Sequence, residues 1–75
     1  MKEEILLKLK KLGENIKKIR TTKGFSRREL AEKCRFRNNY LKRIETGKVK
    51  DIKVLRLFTI AYALQIKLHE LFIDI

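Results

Sequence analysis

Side chains suited to directional hydrogen bonding lie near the middle of the chain, at Asn38 and Asn39, with Lys42 and Arg43 following closely. An Asn amide carries a donor and an acceptor, so it can form a bidentate pair with an adenine edge. Lys and Arg can reach guanine or a phosphate group. These residue types at this spacing favour binding over catalysis.

Residues for catalysis or metal binding are scarce. Ser26, Cys34 and His69 are the only serine, cysteine and histidine in the chain. One His and one distant Cys do not make a zinc site, and Cys34 falls at an apolar position typical of a buried core residue. The sequence has no catalytic triad, paired carboxylates or Gly-rich phosphate loop. We therefore expect no enzyme activity, no cofactor and no metal.

The charge distribution indicates a polyanionic partner. The net charge is +11, and residues 17–50 hold thirteen basic and three acidic residues, whereas residues 51–75 are electrically neutral. A charge run can simply be a solvated face, but an excess this confined favours nucleic acid or an anionic membrane surface. With one cysteine and no long apolar run, the chain lacks the marks of a disulfide-stapled, secreted or membrane-spanning protein. We expect a cytoplasmic protein of one small domain.

The elements that must position these residues are helical, with no convincing strand. The chain has no proline, and Gly24 and Gly47 stand where helices would end. Ser26 and Glu29 have the spacing of a capping box, and Asp51 is a candidate cap for a fourth helix. The five predicted helices span about residues 4–20, 26–34, 38–46, 51–64 and 67–72.

Apolar spacing predicts which helix faces turn inward. In the first helix the predicted stripe is Ile5, Leu9, Leu12, Ile16 and Ile19. In the fourth helix it is Val54, Leu57, Phe58, Ile60, Ala61 and Leu64.

Residues 24–47 resemble the helix-turn-helix of Xre/Cro-type, lambda-repressor-like DNA-binding domains. The resemblance extends outwards to about residues 12–72, which leaves residues 1–11 as an N-terminal helical extension of a single domain, 1–75. It implies an all-α, compact bundle of five short helices. The matching motif residues are Gly24, Phe25, Ser26, Leu30, Ala31, Phe36, Tyr40, Leu41, Ile44, Glu45 and Gly47.

The resemblance also implies where DNA is contacted. The third helix is expected to lie in the major groove, where Asn38, Asn39, Lys42 and Arg43 contact bases. Asn38 can alternatively serve chiefly as the N-cap of that helix. The expected contacts to the DNA backbone are Arg27, Arg37, Thr46, Lys48 and Lys50, each of which can alternatively be ordinary solvated surface.

Three features depart from the family pattern: Arg27, Arg35 and the loop after Gly47, which lacks the frequent proline. One pair of residues follows the pattern. The family usually has Gln at the position of Arg27, where it binds a phosphate and braces a base-reading side chain. Arg27 keeps the phosphate contact but not the same bracing. The family usually has Gly at Arg35, where a non-glycine residue in left-handed geometry costs roughly 1 kcal/mol. The resemblance further implies a structural salt bridge between Arg20 and Glu45.

The C-terminal part has more apolar surface than one small domain readily buries. The residues concerned can fold back onto the first helix or form a two-fold dimer interface, and we favour the dimer. They are Leu55, Tyr62, Ile66, Phe72, Ile73 and Ile75.

These features predict a sequence-specific regulator of transcription that binds double-stranded DNA as a homodimer on a pseudo-palindromic operator. Small stand-alone family members of this kind include restriction–modification controller proteins, phage Cro-like repressors and antitoxins. One alternative is an antitoxin-like or adaptor module that keeps the fold for protein interaction, with a partner still to be identified. The other is a non-specific basic binder of nucleic acid or membrane, although such a binder would carry Lys or Arg in place of Asn38 and Asn39.

Overall fold

The computed structural model describes residues 2–75, and every regular element in this range is a helix. Helix α1 spans Lys2–Thr22, α2 spans Arg27–Cys34, α3 spans Asn38–Glu45 and α4 spans Val54–Leu64. A 3-10 helix follows at Leu68–Phe72. The predicted all-α class is confirmed over this range, although the first helix has 21 residues and the last is a 3-10 helix.

The core lies where the five helices meet. Helix α1 packs on α3 and on the 3-10 helix, while α2 packs on α3 and α4. Asn15 joins α1 to the C-terminal segment, because its side-chain amide donates to the carbonyls of Leu71 (2.9 Å) and Ile73 (2.8 Å). The fully buried large side chains are Ile16, Leu30, Leu41, Ile44, Ile60, Leu64 and Leu71.

All four α-helices end in the same backbone motif. After each helix, one residue adopts positive φ, and its N–H and the next N–H bond back to carbonyls three and five residues earlier. This is the Schellman arrangement, which glycine adopts without steric cost. Gly24 (φ 82°) and Gly47 (φ 72°) occupy two of these positions as predicted, while Arg35 (φ 59°) and Gln65 (φ 58°) occupy the others.

The start of α2 is capped as predicted, but the starts of α3 and α4 are not. Ser26 Oγ accepts from the Glu29 amide at 3.0 Å, and Glu29 Oε1 accepts from the Ser26 amide at 2.8 Å. The hydrogen bond that the Ser26 amide donates to the Glu29 carboxylate is the main cause of a lowered pKa for Glu29, and the Ser26 side chain adds to it. Asp51 is not a cap: α4 begins after Lys53, because Ile52 packs against the core from the preceding extended segment.

Three residues of the predicted core stripes are exposed. Val54 and Phe58 point outward because Leu57, Ile60, Ala61 and Leu64 fill the buried face of α4. An eleven-residue helix packed on one side buries only one such face. Ile5 is also exposed, since the first turns of α1 extend beyond the core.

No helix within residues 2–75 is long and apolar enough to span a bilayer.

The left-handed residue Arg35 gives a direct test of the turn between α2 and α3. We expect Arg35→Gly to raise the free energy of unfolding by about 1 kcal/mol, because it removes the steric cost of a side chain at positive φ. Chemical denaturation measures the change. Arg35→Ala is the control, since it removes the charge but keeps the Cβ. An Ala variant as stabilised as the Gly variant would contradict a steric origin.

Candidate nucleic-acid interface

Helix α3 has one buried face and one polar face. Leu41, Ile44 and Glu45 are buried, and they hold the helix against α1 and α2. The exposed face carries Asn38, Asn39, Lys42 and Arg43, so the structure brings together the four residues predicted to contact bases.

Asn38 is not the N-cap of α3. Arg37 occupies the cap position, with no side-chain cap hydrogen bond, and Asn38 is the first helical residue. Both Asn38 and Asn39 are exposed at the first turn of the helix. Their side-chain amides are therefore available for an external ligand. The alternative prediction, that Asn38 is the N-cap of α3, is wrong.

A buried carboxylate ties α3 to the two preceding helices. Glu45 is the last residue of α3, and its side chain is completely buried. Arg20 of α1 donates to it twice, from Nε at 2.7 Å and from Nη2 at 3.0 Å. Arg27 of α2 donates from Nε at 3.1 Å. Arg20 also donates to the Phe25 carbonyl at 2.9 Å, so one group of charges joins α1, α2, α3 and the intervening turn.

A close backbone approach completes the attachment of α3. Gly13 lies against the end of α3, where a Cβ would overlap the Ile44 carbonyl oxygen and stand 2.8 Å from the carbonyl group of Glu45. No side chain fits there without moving one helix. Ala31 is buried on α2, which packs directly on α3. Gly13 thus sets the distance between α1 and α3.

The residues predicted to contact the DNA backbone differ in exposure and in the partners that they already have within the protein. Arg37, Lys48 and Lys50 are exposed. Arg27 is partly buried by its ion pair with Glu45, which uses one of its donors and leaves the terminal N–H groups. The Thr46 hydroxyl donates to the Lys42 carbonyl of its own helix at 2.8 Å.

Arg56, which no sequence pattern singles out, lies beside the first turn of α3. Its guanidinium carbon stands 5.0 Å from the Tyr40 ring centroid and 5.5 Å from that of Phe36. The two rings are themselves packed edge to face, with centroids 5.3 Å apart. Because Arg56 belongs to α4, no local spacing links it to α3, and only the fold reveals the contact.

The predicted dimer residues occupy two different places. Leu55 and Tyr62 are 76% and 86% exposed on the outer face of α4, where the exposed Val54 and Phe58 adjoin them at helical spacing. We call these four residues the α4 outer face. Ile66, by contrast, is partly buried and packs against the core.

The remaining predicted dimer residues lie at the C-terminus. Phe72 and Ile75 line an apolar groove together with Ile5 and Leu9 of α1, so this end of the chain does lie along the first helix. Ile73 is exposed.

Cys34 is a free cysteine in the core. Burial raises the pKa of the Cys34 thiol to about 11, so the thiol is protonated and unreactive at neutral pH. Its Sγ lies 3.9 Å from the Thr59 carbonyl oxygen. Among residues 2–75, no cluster of His, Cys, Asp and Glu has a geometry that could hold a metal ion.

Comparisons with known proteins agree with this geometry. A family model described as helix-turn-helix matches residues 16–71. The structure is similar to the crystal structure of the restriction-modification controller protein C.AhdI from Aeromonas hydrophila, with a TM-score of 0.82 and 31% sequence identity. The match covers 85% of this chain and 96% of that one. A search of curated proteins found no match.

Glu45 is the residue whose loss should disturb α3 most. We expect Glu45→Gln to lower the free energy of unfolding by about 3–5 kcal/mol, because it leaves Arg20 buried without a countercharge. Denaturant titration followed by circular dichroism measures this. Glu32→Gln, on the exposed surface of α2, is the matched control, with an expected change within about 0.5 kcal/mol. Equal stability of the two variants would contradict the structural role of Glu45.

Proposed function

The chain belongs to the Xre/Cro-type, lambda-repressor-like helix-turn-helix family of DNA-binding transcriptional regulators, and we propose that it reads a specific duplex sequence as a homodimer. Helix α3 is the recognition helix, and the target is a pseudo-palindromic operator. The observation that carries this proposal is that Asn39 and Arg43 lie one turn apart on the exposed face of a helix whose opposite face is buried.

The chemistry of the α3 face suits the major groove. A major groove about 12 Å wide admits one helix, and each base pair there presents a distinct pattern of donors and acceptors. Asn38 and Asn39 suit adenine, whose N7 accepts and whose N6 donates, while Lys42 and Arg43 suit guanine. Arg27, Arg37, Lys48 and Lys50 would hold the helix in register through phosphate contacts.

The α4 outer face supports a homodimer. Val54, Leu55, Phe58 and Tyr62 recur at helical spacing and leave a contiguous apolar strip in water. Such a strip is unusual on a monomer and suits a two-fold contact, in which the same patch meets itself. A dimer of this kind would carry two recognition helices about 34 Å apart, one turn of duplex DNA.

The likeness to C.AhdI supports a more specific role. That protein is a restriction-modification controller, and the match spans nearly all of it at 31% identity. We therefore extend the proposal to control of the transcription of restriction–modification genes.

Selection from a library of random duplexes tests the proposal. The purified protein is incubated at about 150 mM salt with competitor DNA, which suppresses purely electrostatic binding. Enrichment of an inverted repeat with half-sites about one helical turn apart is expected. Binding without enrichment would favour a non-specific basic binder, and absence of binding would favour a protein-interaction module.

Replacement of Asn39 tests base reading. We expect Asn39→Ala to reduce the preference for the selected duplex over a scrambled one by about 1–3 kcal/mol for each half-site, because the bidentate pair is lost. Competition binding on the two duplexes measures the ratio. Lys50→Ala is the control and should weaken binding to both alike. Equal weakening of both duplexes by Asn39→Ala would rule out base reading by this residue.

A charge on α4 tests the dimer. We expect Leu55→Glu to make the protein monomeric and to weaken operator binding, because a carboxylate would be buried in an apolar interface. Sedimentation equilibrium gives the mass in solution. Leu7→Glu makes the same change at an exposed leucine of α1 and should leave the dimer intact. A dimeric Leu55→Glu protein would exclude the α4 outer face as the interface.

A further inference from the structure

A positively charged hollow adjoins the first turn of the recognition helix. Arg35 and Arg37 line it from the turn between α2 and α3, Arg43 from α3 and Arg56 from α4. No acidic residue is among its lining side chains. Four arginines around one concavity with no acidic residue give it a positive potential, so the hollow favours an anion.

The aromatic rings of the hollow hold Arg56 in a defined position. Phe36 and Tyr40 meet edge to face at an interplanar angle of 83°, and the Arg56 guanidinium lies over both. A guanidinium held by cation–π contact keeps its N–H groups available, because those groups point outward in the plane of the ion. Neither ion pair found within residues 2–75 involves Arg56. The side chain is thus oriented but not neutralised.

We propose that this hollow binds a phosphodiester of the DNA backbone and that Arg56 is its phosphate-contacting residue from outside the helix-turn-helix. The inference rests on the proposed function and names a further contact of that interface. Asn39 and Arg43 line the same hollow, so its ligand lies directly beside the bases that α3 reads. The anions that border every major-groove site are the backbone phosphates.

The salt dependence of DNA binding tests this inference. The full chain is titrated with the selected duplex at several salt concentrations, as native protein, Arg56→Ala and Arg56→Lys. Loss of one phosphate contact should reduce the slope of log K against log salt by about 0.9 for each subunit. Arg56→Lys keeps the charge and should keep the native slope. Lys67→Ala removes an exposed charge that does not line the hollow and should also keep it.

A neutral backbone locates the phosphate. Methylphosphonates are introduced one at a time along the duplex, each removing a single negative charge. At one position flanking the recognised bases, the neutral linkage should lower the affinity of the native protein. The same linkage should leave the affinity of Arg56→Ala equal to its affinity for the unmodified duplex. A native slope for Arg56→Ala, or additive losses at every position, would overturn the inference. So would a changed base preference in Arg56→Ala with an unchanged slope.

The same data separate this inference from the proposed function. If no sequence is enriched, the titration uses an arbitrary duplex, and a reduced slope for Arg56→Ala there would retain the phosphate site and reject specific reading. Enrichment of an operator with a native slope for Arg56→Ala would retain specific reading and reject the phosphate site. Native protein that binds no duplex would reject both.

Discussion

The buried carboxylate of Glu45 is the point on which the arrangement of the helices depends. It is fully buried at the end of α3 and accepts hydrogen bonds from Arg20 of α1 and Arg27 of α2. Charge buried to this degree is tolerated only with partners in good geometry, so any large rotation of α3 would leave charges unpaired. The apolar contacts of Leu41 and Ile44 hold α3 in place, and the ion pair selects one orientation among those that such contacts allow.

That orientation explains how so small a chain can present a recognition surface. Gly13 lets α1 approach the end of α3 more closely than any side chain would permit, and the ion pair joins the same two helices at Glu45. The backbone of α3 is therefore held in one position by buried contacts, so only its exposed side chains need to be ordered on binding. The neighbouring hollow, with Arg56 held over Phe36 and Tyr40, continues this preorganisation beyond the two helices of the motif.

Much of this fold could be predicted from the sequence, because local chemistry determines helix ends. The capping box at Ser26 and Glu29 and the left-handed glycines Gly24 and Gly47 follow from short-range spacing. The outward direction of Val54 and Phe58 does not, since an apolar helix can turn several faces inward and packing decides among them. The position of Arg56 could not be predicted for a similar reason: its aromatic partners lie sixteen or more residues earlier in the chain.

The central claim is that the outer face of α3 meets DNA, and chemical-shift mapping of the isotope-labelled protein tests it most directly. Titration with the selected duplex should give the largest amide shifts at residues 38–43, with smaller ones at Arg27 and around the hollow. A scrambled duplex should give weak shifts confined to the basic residues. Shifts concentrated on the α4 outer face or along α1, with α3 unchanged, would contradict the account.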